Sequence, residues 1–247
     1  MSEIPGENID TASYRGRHPE NSPAWSAWIF GRLPEMRMLR NAGLNASRKN
    51  KWRNVVEHSI VVNAASVFLA RKLAAAGADI DLDTVEKASL LHDATKRRDK
   101  EKKISYGSEK RSFQLRDYLE QAGYAGKVIA AAEGTGRVIE MYGSRDTQPE
   151  AIERLSWEEL IVAYVDARTR NTDLVSLEVA LYGDESQGIE GNIQKIPSDA
   201  AFYEEKWYPY FKLVEERIFG AVDDPAFTPE SLNNEAVIAM IHADTQA

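Results

Sequence analysis

A chain of 247 residues, 43% apolar and 28% charged, reads as a soluble globular protein, and its formal net charge of -8 argues against general binding to nucleic-acid phosphates. It has no cysteine, which excludes disulfides, iron–sulfur clusters, thiolate zinc sites and thiol catalysis, so any bound metal must take nitrogen and oxygen ligands. No stretch has the roughly 18 uninterrupted apolar residues of a membrane span, and the polar N-terminus MSEIPGENID lacks the regions of a signal peptide, so the expected location is the cytoplasm.

Residues 1–22 read as a loose arm. Between Ser22 and Asn41 the apolar residues Trp25, Trp28, Ile29, Leu33, Met36 and Leu39 recur at helical spacing, with Pro34 as a kink or break. A polar loop over 42–51 follows. A helix is predicted over 54–76, with Val55, His58, Val62, Ala65, Leu69 and Leu73 on one stripe and Gly77 as its C-cap. The next helix is expected to open at Asp83, where Asp-Thr-Val-Glu reads as a variant capping box, and to run through Val85, Ala88 and Leu91 to His92 and Asp93. Beyond a charged segment over 95–112, helices are expected at about 108–122 and 125–141, separated by Gly123.

Gly143 to Pro149 reads as a linker, and Ser156-Trp-Glu-Glu159 as a capping box opening the helix SWEELIVAYVDARTRN. A long loop is expected over 183–198, then an amphipathic helix over about 200–219 ending at Gly220. Residues 221–247 show no clear pattern. With no internal repeat and no strand pattern, the predicted fold is all-α: one helical domain over 23–220 with a C-terminal helical extension, followed by the 221–247 tail.

The chemistry concentrates at a few positions. His58 lies on the apolar stripe of its helix, and His92 follows Ala88 by four residues on an inward face. Lys96 shares that face if the helix continues. Asp166 lies in a helix apolar nearly all round, where a carboxylate is costly unless paired or bound to a cation. Taken singly, each has an ordinary reading: a hydrogen-bonded core histidine, a helix C-terminal cluster, an Asp166–Arg170 pair at i+4. Together they are harder to dismiss, because the chain has only four histidines and two fall on inward faces of adjacent helices.

The order His, His-Asp, Asp on successive helices is carried by Glu57-His58-Ser59, Leu90-Leu-His-Asp-Ala-Thr-Lys96 and Tyr164-Val-Asp-Ala-Arg-Thr-Arg170. It resembles the HD-domain superfamily of metal-dependent phosphohydrolases over about residues 36–170. The resemblance implies an HD-type helical bundle with His58, His92, Asp93 and Asp166 as ligands to a divalent ion, one of Mn, Co, Ni, Mg, Fe or Zn. MRMLRN (36–41) ahead of NVVEHS (54–59) is similar to bacterial HD-type 5′-deoxynucleotidases, in which an upstream arginine contacts the substrate phosphate. Arg40 is the best positional match, with Arg37 and Arg53 as competitors, and a solvated surface arginine is the other reading of all three.

Those nucleotidases carry HD-x-x-Glu, whereas position 96 here is lysine. HD-x-x-Lys is similar to phosphodiesterase-like and dinucleoside-polyphosphate hydrolase branches, where the lysine steadies a phosphate. Those branches add histidines for a second metal; none lies between 93 and 241 here, so a mononuclear site is expected. Glu133 stands roughly where such a ligand would be and reads as a surface glutamate.

The implied activity is hydrolysis of a nucleotide or other small anionic phosphate ester by metal-activated water, with Asp93, Lys96 and Arg40 catalytic and Lys96, Arg40, Arg53 and Arg97 binding substrate. The run Lys96 to Lys103, with Lys110 and Arg111, reads mostly as a solvated loop, and by its position as a basic rim attracting anions. Tyr106 and Trp157 are candidate stacking partners. The alternative is an HD-type protein that binds a nucleotide or serves a regulatory role without turnover. The superfamily also hosts hydratases and dinuclear iron oxygenases, the latter needing histidines absent here. Residues 171–220 are open to two readings, a cover over the site or a homodimer surface. Trp207, Tyr208, Tyr210 and Phe211 read as core or interface residues.

Overall fold

The computed structural model describes residue 35 and residues 53–96, 109–134 and 152–246. The arm, the helices expected over 22–41 apart from residue 35, the 143–149 linker, and Arg37, Arg40, Arg97 and Tyr106 lie outside the described residues, as does the side chain of Arg53. The fold is all-α, as expected, with one short β-hairpin among the described residues.

Helix α1 (Arg53–Ala75) buries the predicted stripe: Val55, Val62, Ala65, Leu69 and Leu73 are all in the core. It ends where expected. Ala78 donates its N–H back to the Leu73 carbonyl at 3.0 Å, a wrap that needs the left-handed backbone of Gly77 (φ 95°). Helix α2 (Leu82–Leu91) begins earlier than predicted. Its N-cap is Asp81, which accepts from the Thr84 N–H, while Asp83 lies in the first turn and pairs with Lys87 at 2.6 Å. The helix stops at Leu91, so His92 to Thr95 are turns.

Helices α3 (Glu109–Gln121) and α4 (Gly126–Ala132) flank Gly123 as predicted, but α4 stops at Ala132, short of the expected run to 141. Helix α5 (Trp157–Arg168) has its capping box complete, with Glu159 N–H to Ser156 Oγ at 3.2 Å and Ser156 N–H to Glu159 Oε2 at 3.0 Å. It is buried from Glu159 to Arg168 because α1, α2, α4 and the later helix Tyr208–Gly220 all pack on it. A helix apolar nearly all round has this central place.

The predicted α5 overruns its end. After Arg168 the chain forms an antiparallel hairpin, β1 (Thr169–Arg170) with β2 (Asp173–Leu174), turning through Asn171 at φ 56°. Strands this short carry no period-two pattern to read. Next come α6 (Leu177–Tyr182) and a 183–198 segment with more structure than the expected loop. It holds an Asp184–Ile189 bridge and α7 (Asn192–Lys195). Its neck closes on Gly191, where a Cβ would stand 2.4 Å from the Leu181 carbonyl oxygen.

Residues 200–220 are continuously helical, through Ala200–Phe202, a π-helical turn Tyr203–Trp207 and α8 (Tyr208–Gly220). Trp207, Tyr210 and Phe211 are buried here, and Tyr208 is partly buried against the core. Residues 221–247 contain a further helix, α9 (Asn234–Gln246), which packs against α1. One apolar core joins α1 to α6, α8 and α9. Because α5 is central to it, Ser156→Ala is expected to lower unfolding stability by about 1 kcal/mol through loss of the cap. Urea denaturation measures this, and an unchanged midpoint would contradict the role given to the capping box.

Candidate metal centre

Three helices bring one side chain each to a common point. α1 carries His58 on its buried stripe, the turn after α2 carries His92, and α5 carries Asp166. All three residues are buried, with side-chain exposures of 11%, 3% and 8% in that order. His58 Nε2 is 2.9 Å from Asp166 Oδ1, His92 Nε2 is 3.3 Å from the same oxygen, and the two Nε2 atoms are 3.4 Å apart.

The other ring nitrogens decide what these contacts mean. His92 Nδ1 lies 2.7 Å from the Ser89 carbonyl, and His58 Nδ1 lies 3.2 Å from the Asn171 carbonyl. A carbonyl oxygen only accepts, so a ring that hydrogen-bonds one of these carbonyls carries its proton on Nδ1, the tautomer that leaves Nε2 for an ion. In the neutral rings both Nε2 atoms then present lone pairs, toward each other and toward a carboxylate oxygen. Three electron-pair donors converging in a buried pocket repel one another unless a cation stands among them.

The donor set fits a metal ion. Donors about 2.1 Å from one ion stand about 3.0 Å apart at a right angle and about 3.4 Å apart at the tetrahedral angle. The observed separations of 2.9, 3.3 and 3.4 Å match those edges. The carbonyls on Nδ1 are the outer partners that orient metal-binding imidazoles. The group His58, His92 and Asp166 is thus a buried triad able to hold a metal ion.

The electrostatics follow from the same crowding. Burial pulls the His58 imidazole below its ordinary value, with the Asp166 carboxylate opposing. His92 is also pulled down by burial, but the Asp166 and Asp93 carboxylates outweigh this and hold it above its ordinary value. Burial disfavours the Asp166 anion, yet the His92 and His58 imidazoles hold its carboxyl well below the usual carboxylate range. Without a metal, these carboxylates favour a proton on His92 over one on His58.

The other expected site residues are placed as follows. Asp93 is fully buried beside the triad, its Oδ2 3.8 Å from His92 Nε2, and it forms an ion pair with Lys96. It stands next to the converging atoms but is not one of the three. Lys96 does not share a helical face with His92, because α2 has already ended; it reaches the site through Asp93, three residues back. Glu133 is not a surface residue: it is buried and paired with Arg116 at 2.6 Å, outside the triad. Trp157 lies nine residues before Asp166, roughly 13 Å along α5. Its ring packs under the Arg217 guanidinium at 4.9 Å, which removes it as a stacking partner at the triad.

The Ser89 and Asn171 carbonyls were not foreseen, since main-chain oxygens leave no mark in a side-chain pattern. A turn-forming Asn-Thr pair after α5 was the one available signal for the second. Comparison of the chain with family models, with curated proteins and with solved structures finds no match.

Calorimetric titration of the metal-free protein with Mn, Co, Ni or Zn is expected to show one ion per chain. His58→Ala, His92→Ala and Asp166→Ala should each weaken it by more than the roughly 10–100-fold typical of losing an outer partner. Because the ion displaces the His92 proton, affinity should fall as pH drops through the raised His92 value and level off above it. Affinity independent of pH, or unchanged in all three variants, would contradict this assignment.

Proposed function

We propose that this chain is an HD-type phosphohydrolase that uses one divalent ion to hydrolyse a nucleotide or other small phosphate ester. The observation that supports this most strongly is the convergence of His58 Nε2, His92 Nε2 and Asp166 Oδ1, with Asp93 and a lysine alongside. A bound divalent ion supplies Lewis acidity toward a phosphate oxygen and lowers the pKa of a bound water. His58, His92 and Asp166 hold that ion, and Asp93 is placed to complete the ligand set or to orient the attacking water.

Among the described residues Lys96 is the cation standing against this group, its side chain 23% exposed and its ammonium on Asp93. An arriving phosphoryl group competes with Asp93 for that ammonium and gains a charge-assisted hydrogen bond. The exchange frees Asp93 to accept the proton of water as water adds to phosphorus and the ester P–O bond breaks. The leaving oxygen takes up a proton, so that one water is consumed per bond cleaved. Arg40, Arg53 and Arg97 are proposed as further phosphate contacts through the resemblance alone.

Metal-stripped protein re-supplied with Mn, Co, Ni, Mg or Zn should release phosphate from at least one member of a nucleotide and phosphate-ester panel. Release should vanish in His92→Ala. Lys96→Ala should lower kcat/KM by roughly 10²–10³-fold, the usual cost of losing one such donor. Activity retained in His92→Ala would sink the proposal. The Asp93–Lys96 ion pair also favours a second reading, binding of a nucleotide without turnover, since it ties up the carboxylate next to the metal. Saturable nucleotide binding with no product from any metal-loaded form identifies that case.

A further inference from the structure

We infer that the hairpin Thr169–Leu174 is a positioning element of the metal centre, working through the left-handed backbone of Asn171; this rests on the metal-binding reading of the triad. The Asn171 side chain is exposed, while its carbonyl oxygen turns inward to take the His58 Nδ1 proton at 3.2 Å. The backbone that presents this carbonyl stands at φ 56° at residue 171, a conformation that asparagine and glycine adopt readily and β-branched residues do not. Held in this way, the ring keeps Nε2 directed at Asp166 and in the tautomer that a metal needs.

The hairpin cannot fix itself, having only the pairs Thr169–Leu174 and Arg170–Asp173. Its rigidity comes from around it. The Arg170 guanidinium donates to the Ala180 carbonyl of α6, and the Leu174 N–H donates to Asn234 Oδ1 at the start of α9. Behind it Arg168, 4% exposed, donates to the carbonyls of Val175, Pro229 and Leu232 at 2.6, 2.8 and 3.1 Å. A buried guanidinium is retained at a cost in desolvation, and here it ties residue 175 and the 229–232 segment to α5. The polypeptide beyond residue 171 thus braces one histidine of the triad from outside.

The test compares full-length wild type, Asn171→Gly, Asn171→Val and Asn234→Ala. In metal-free protein, nitrogen NMR of His58 should report the Nδ1-protonated ring in wild type and Asn171→Gly, and a changed tautomer or mixture in Asn171→Val. Zinc affinity by chelator competition should stay close to wild type in Asn171→Gly and fall roughly 10–100-fold in Asn171→Val. Asn234→Ala, which loosens the hairpin without touching its turn, should weaken zinc in the same direction by less, and it stands in if Asn171→Val does not fold. An unchanged His58 tautomer in Asn171→Val overturns the inference, as does equal weakening in Asn171→Gly, which would place the effect in the side chain. Failure of the metal reading is a separate result: wild type then binds no zinc, while His58 still changes tautomer in Asn171→Val.

Discussion

Two imidazole nitrogens and a carboxylate oxygen, each with a lone pair turned inward, meet within 3.4 Å in a pocket that water scarcely enters. That arrangement is unfavourable without a cation, and much of the surrounding structure can be understood as holding it in place. The backbone carbonyls of Ser89 and Asn171 fix which nitrogen of each ring faces in. The helices that carry the three side chains all meet at α5, which is buried along most of its length. A group so costly to assemble persists because the packing around it leaves the side chains little freedom to separate.

The site has two layers with different origins. The inner layer is made of side chains on, or just past the end of, strongly patterned helices, and their rigidity comes from core packing. The outer layer is main-chain oxygens and buried ion pairs. Ser89 offers its carbonyl one turn before His92, and its hydroxyl receives the Asn63 amide of α1 at 3.0 Å, tying the two histidine-bearing helices together. Asp93 is held by Lys96, and Asn171 by a hairpin that α6 and α9 grip. Proposed chemistry at the triad therefore draws on residues spread from α1 to α9.

The inner layer was legible in the sequence. The stripe through Val55, His58, Val62 and Leu69 placed a histidine inside, and the Ser156–Glu159 box fixed the start of the helix that carries Asp166. The outer layer was not, for physical reasons. Asp81 and Asp83 are both able to cap, and only the path of the chain selects the first. Glu133 is buried because Arg116, on another helix, reaches it, which no local pattern reveals. Lys96 reaches Asp93 through a turn rather than along a helix. The end of α5 at Arg168 depends on carbonyl partners about sixty residues further on.

Binding of one divalent ion by the Nε2 atoms of His58 and His92 together with Asp166 is open to direct measurement. Pulsed electron paramagnetic resonance of the Mn-loaded protein tests it most directly, because the ion reports the nitrogen nuclei bound to it. One Mn per chain is expected, coupled to two imidazole nitrogens, one of them lost in His58→Ala and the other in His92→Ala. A spectrum of hydrated Mn without nitrogen coupling, or coupling that survives both substitutions, would contradict it.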